Sequence, residues 1–89
     1  MNVHYRVRFR PFAEKELAKL DPPARARVLR HITALVGNPR PPGVTRLVST
    51  DSLWRIRIGD YRVVYEIHDD ELIVRVIRVA HRSTAYRDS

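Results

Sequence analysis

Residues Leu53–Tyr86 read LWRIRIGDYRVVYEIHDDELIVRVIRVAHRSTAY, and their periodicity decides the fold. Trp54, Ile56 and Ile58 alternate with Arg55 and Arg57, the period-two pattern of a strand buried on one face. Gly59-Asp60 supplies a compact hairpin turn. Beyond it, Tyr61, Val63, Tyr65 and Ile67 share one face, with Arg62, Val64 and Glu66 on the other. Asp69-Asp70 makes a second turn. Leu72 to Ala80 is apolar on both faces and is expected to be a central strand covered on both sides.

The chain before this stretch supplies the helical backing that such a sheet needs. Val3, Tyr5, Val7 and Phe9 alternate with His4, Arg6, Arg8 and Arg10, which predicts an opening strand with a basic outer face. Pro11 ends it and opens a short helix, Phe12 to Leu20, whose Ala13, Leu17 and Leu20 fall at helical spacing. Asp21 is the expected N-cap of a second helix, Pro22 to Val36, with Val28, Ile32, Leu35 and Val36 as its apolar stripe. Gly37-Asn38-Pro39 stops that helix, and Thr45 to Ser49 is the weakest strand candidate. The expected fold is α+β: a small, mostly antiparallel sheet with an N-terminal αα-hairpin on one face, in the order βααβββ(β), forming one domain over residues 1–89.

Composition narrows the function. Eighty-nine residues support one core, and 44% hydrophobic with 30% charged residues is a globular balance. Without cysteine there is no disulfide or thiolate site. The first ten residues lack the apolar run of a signal peptide, and no stretch reaches membrane-spanning length, so a cytoplasmic protein with no membrane partner is expected. A net charge of +7 points to a polyanionic partner, nucleic acid or an acidic protein. The charge is uneven: nine of the seventeen basic residues but three of the ten acidic ones precede Arg46, a net of +6 against +1. Arg6, Arg8, Arg10, Arg25, Arg27 and Arg30 are therefore expected to form a flank facing that polyanion, RNA or, equally, an acidic protein.

Arg55 and Arg57 leave one face of one strand, and Arg62 begins the next strand across a tight turn. Arg82 follows the last strand. Guanidinium groups converging in this way hold a phosphodiester through bidentate bonds and stabilise the charge that grows on a phosphorane. As single residues these arginines are the polar side of a sheet. As a set they repel unless an anion lies between them. His81 is the one side chain beside Arg82 with a pKa suited to proton transfer, and Tyr86 could stack on a base. His4, His31 and His68 lack ligand spacing, so no metal is expected, and no glycine-rich phosphate loop or G-x-S-x-G motif occurs. Glu66 is read as a charge partner and Asp69-Asp70-Glu71 as a solvated acidic turn.

Three segments resemble the RelE/ParE superfamily of type II toxins, on the RelE side. They are the opening strand leading into FAEKELAKL, the paired strands LWRIRIGDYRVVYEI, and the closing VIRVAHRSTAYR. The resemblance implies a RelE-like fold and a ribosome-dependent mRNA endonuclease that needs no metal or cofactor. Such toxins cut A-site codons by 2′-hydroxyl attack, leaving a 2′,3′-cyclic phosphate. It further implies that Arg55, Arg57, Arg62 and Arg82 contact the phosphate and rRNA, with Tyr86 orienting a base. The implied partners are an acidic, RelB-like antitoxin, the ribosome with its mRNA and rRNA, and operator DNA reached through the antitoxin. Members of the family often carry lysine where this chain has Arg55 and Arg57. Arginine is a poor base, so His81 is the expected proton-transfer group, with Tyr86 or orientation alone as the alternatives. Competing readings are a ParE-like, non-catalytic toxin acting on DNA gyrase and a decayed toxin that only binds its antitoxin and operator.

Overall fold

The computed structural model describes residues 4–47 and 53–82. Its elements are β1 (Arg6–Phe9), α1 (Pro11–Ala18), α2 (Pro22–Ala34), β2 (Thr45–Arg46), β3 (Leu53–Ile58), β4 (Tyr61–His68) and β5 (Ile73–His81). They form one five-stranded sheet in the order β1-β5-β4-β3-β2, with the helices supplying its apolar cover. The α+β class and the helix-then-hairpin order agree with the sequence reading. The sheet is mixed, because β1 runs parallel to β5 while every other pair is antiparallel. The parallel pairing follows from the intervening helices, which return the chain to the same end of the sheet.

The core lies between helices and sheet. Ala13 and Leu17 of α1 and Val28 and Ile32 of α2 meet Ile56 and Ile58 of β3, Val63 and Tyr65 of β4, and Val74, Val76 and Val79 of β5. Tyr65 is fully buried, and its hydroxyl donates to the carbonyl of the buried Pro39 at 2.8 Å. Burial pushes that phenol up to about 12. In the β3–β4 turn, Gly59 adopts φ +60°, where a Cβ would also stand 3.0 Å from Arg27 Nη1.

Four expectations change. Asp21 occupies the N-cap position of α2 but makes no side-chain cap bond, and Pro22 and Pro23 offer no N–H groups there to satisfy. The strand expected over Thr45 to Ser49 is confined to Thr45–Arg46 among the described residues, Ser49 lying outside them. The opening strand is likewise described only from Arg6, Val3 falling outside. The strand read as Leu72 to Ala80 is interior, yet the middle place in the sheet belongs to β4 and the outer face of β5 is only half-buried. Its two-sided apolar pattern has a local cause. Val64 faces Arg78 while Tyr65 faces Val76, so Ile77 is an extra residue, a β-bulge. Val74 and Val76 before the bulge and Val79 after it thereby reach the same core.

Candidate functional site

The pleat sorts the arginines. Residues directly opposite in a sheet share a face, so the register Thr45↔Arg55↔Val64 and the register Arg57↔Arg62↔Ala80 are two adjacent rows on the face away from the helices. Arg55, Arg57 and Arg62 line one cleft there with Gly43 and Thr45, of about 170 Å³. Small residues bound it. Ala80 stands beside Arg62, Thr45 beside Arg55, and Gly43, at φ +88°, carries the loop past without a side chain. Arg57 and Arg62 are direct cross-strand neighbours, a like-charge pairing that a sheet ordinarily avoids. Among the described residues, neither Arg55 nor Arg57 has a carboxylate partner. This geometry favours a small, multiply charged anion, met by planar donors from two strands.

The other predicted residues are distributed differently. Arg82 does not line the cleft; its N–H donates to the carbonyl of Asp60 at 2.6 Å, which ties the end of β5 to the β3–β4 turn. His81 pairs with Tyr61, and the two rings meet edge to face at 5.2 Å. Tyr61 packs against the core, so His81 leaves the sheet on the helix side, opposite Arg57 and Arg62. Strict alternation after Ala80 is the reason. Tyr86 lies outside the described residues.

The flank expected from the N-terminal arginines is divided between two faces. Arg6 and Arg8 align with Ile73 and Arg75 and lie on the arginine face, at the opposite edge of the sheet from the cleft. Arg25, Arg27 and Arg30 stand on α2 behind the sheet. Arg25 donates to the Ala18 carbonyl at 3.2 Å, closing the end of α1, and Arg27 covers the Gly59 turn. Arg10 occupies the N-cap position of α1.

Some contacts were invisible to sequence reasoning. The turn read as solvated holds Asp69, which accepts from Arg40 Nη2 at 2.8 Å and from the Tyr5 hydroxyl at 2.6 Å. The Arg40 guanidinium and then the Tyr5 hydroxyl hold this carboxyl down at about 2. The same carboxylate holds the Tyr5 phenol up. Arg40 also lies 5.1 Å from the Trp54 ring. Glu66 is a charge partner as expected, of Arg75 at 3.5 Å, and its Oε1 also lies 3.0 Å from His68 Nε2. No signal in one sequence pairs residue 5 or 40 with residue 69.

The comparisons agree with this architecture. The family model described as the ParE toxin of the type II toxin-antitoxin system parDE matches residues 7–86. Toxin RelE of Mycobacterium tuberculosis is 33% identical over 84 residues, covering 93% of this chain and 87% of that protein. The chain belongs to the RelE/ParE superfamily of type II toxins. Two solved structures share the toxin's fold with a TM-score of 0.79. One is the archaeal RelE–RelB complex of Pyrococcus horikoshii, 28% identical, covering 89% of this chain and 96% of that one. The other is the toxin–antitoxin complex RelBE2 of Mycobacterium tuberculosis, 33% identical, covering 90% of this chain and all of that one. The toxin's described residues include no helix long and apolar enough to cross a membrane.

Proposed function

We propose that this RelE-family toxin is a ribosome-dependent mRNA endonuclease acting on A-site codons. The observation that carries the reading is the cleft in which Arg55, Arg57 and Arg62 come together. In the proposed step the substrate 2′-oxygen bonds to the adjacent phosphorus as the P–O5′ bond breaks. The products are a 2′,3′-cyclic phosphate and a 5′-hydroxyl. One proton leaves the 2′-hydroxyl and one reaches the 5′-oxygen, both by exchange with solvent. Arg57 and Arg62 donate to the non-bridging oxygens, whose negative charge grows in the transition state, and Arg55 holds the entering phosphodiester. Because His81 leaves the opposite face, activation of the 2′-hydroxyl falls to orientation and to the field of the guanidinium groups. Arg82 and Tyr86 are assigned the neighbouring rRNA and base contacts.

The cytoplasmic partners in this reading are the ribosome with its mRNA and a cognate RelB-like antitoxin. The antitoxin's acidic segment covers the arginine face, and its N-terminal part binds operator DNA. Solved relatives in complex with RelB support that partnership. The deciding experiment is induction without antitoxin, followed by mapping of mRNA ends. Codon-placed cuts bearing cyclic phosphates are expected, and are expected to vanish in Arg57→Ala/Arg62→Ala. The second reading, inhibition of DNA gyrase, is favoured by the matching parDE family model. Its mark is DNA damage and an SOS response with intact mRNA, an outcome that would overturn the nuclease reading.

A further inference from the structure

The bulge at Ile77 has a chemical cost. Before it, β5 takes hydrogen bonds from β1 along one edge, the last being Arg10 N–H to Val76 O at 3.0 Å. Pro11 then turns the chain into α1, so β1 provides no partner beyond that point. The extra residue reverses which N–H groups face β4 and turns that of Val79 toward the vacated edge. Val79 is only 2% exposed, so an N–H left orphaned there would be destabilising. Glu16 of α1 satisfies it: Oε1 accepts the Val79 N–H at 2.8 Å. The same carboxylate takes Arg78 Nε at 3.1 and 3.2 Å, with the Glu16 side chain 15% exposed.

The bulge also decides which face each later residue of β5 takes. With it, Ala80 stands beside Arg62, His81 beside Tyr61, and the Arg82 N–H reaches Asp60 O, which continues the same register. Without it, every residue after Val76 would change sides. His81 would enter the arginine face and Ala80 would leave it.

We propose that Glu16 is a positioning residue, whose carboxylate secures the Ile77 bulge and thereby sets Ala80 beside Arg62 and keeps His81 off the arginine face. Its effect on cleavage rate rests on the nuclease reading; its effect on strand register does not. The test uses the full chain, with Glu16→Met, which fills the same space but accepts no hydrogen bond, and Glu16→Gln, whose amide oxygen still accepts one. Register is read from cross-strand nuclear Overhauser contacts of Arg62 with Ala80 and of Tyr61 with His81. Rate is read as kcat and KM on ribosomes programmed with mRNA.

Glu16→Met is expected to lose these contacts and to lower kcat by about 10²-fold, the scale of a misplaced group, while KM changes only a few-fold. Glu16→Gln is expected to restore both contacts and rate. Glu16→Met with register and kcat unchanged would overturn the proposal, as would a fall in kcat with the register intact. If Glu16→Met fails to fold, Glu16→Gln still decides: lost contacts despite a retained acceptor would refute the role. Register lost in Glu16→Met, with a wild-type protein that cuts no RNA, would uphold the bulge latch and sink the nuclease reading alone.

Discussion

Two groups of arginines occupy the two ends of the same sheet, and they differ in their company. Toward the Asp69 turn, Arg40 lies against Asp69 and Arg75 against Glu66, each within a network that includes Tyr5 or His68. Toward the β3–β4 turn, Arg55, Arg57 and Arg62 share a cleft, and the carboxylates of the described residues pair with neither Arg55 nor Arg57. The residue type is the same, but the first group closes the fold and the second lines an open cleft. Like charges held close together on neighbouring strands repel, and an incoming phosphate would relieve that repulsion. Stability at one end and rate at the other should therefore respond to different substitutions.

The sharpest break would come at the cleft. Arg57→Ala is expected to lower ribosome-dependent cleavage by roughly 10²- to 10³-fold, the scale of removing one transition-state donor, with the thermal midpoint little changed. Cleavage kinetics and a thermal melt on the same preparation check both halves. A melt lowered as much as by a core substitution would erase the distinction between the two ends.

At the closing end the effect should fall on stability. Tyr65→Phe removes the bond to Pro39 O and leaves a buried acceptor unmet, at about 1–2 kcal/mol. For a chain of this size that is roughly 4–8 °C in the midpoint for each kcal/mol, with kcat unaffected. Calorimetry beside the cleavage assay measures this.

Asp69 sharpens the comparison through pH. Its folded-state carboxyl is held at about 2, below the ordinary value near 4. Its stabilisation is thus complete above pH about 4 and is lost as pH falls toward 2. Asp69→Asn should flatten that part of the profile. The change will be small and further weakened by salt, because the Asp69 side chain is 57% exposed. Melting curves of both proteins from pH 2 to 6 test it.

The smallest effect is expected at His81. Since it faces Tyr61 rather than the cleft, His81→Gln should leave kcat within about twofold, well under the 10²- to 10⁴-fold ordinarily lost with a general base. A drop of that size would bring a proton carrier back into the mechanism.

Local pattern carried much of this structure. Alternation along β3 and β4 determined their spans and inner faces, since a side-chain period of two leaves one way to bury Ile56, Ile58, Val63 and Tyr65 together. It also put Arg55, Arg57 and Arg62 on one side, because a tight Gly59-Asp60 turn fixes the register across it. Pairings between distant segments were decided only by the tertiary structure. The Ile77 bulge reverses the alternation through which Ala80 and His81 would be sorted, and it is secured because α1 brings Glu16, 63 residues before Val79 in the chain, to an otherwise orphaned N–H. The parallel seat of β1, the division of the N-terminal arginines between two faces and the Tyr5–Asp69–Arg40 network have the same origin. Short-range sterics write faces into a sequence, whereas the contacts that join distant segments leave no periodic mark in it.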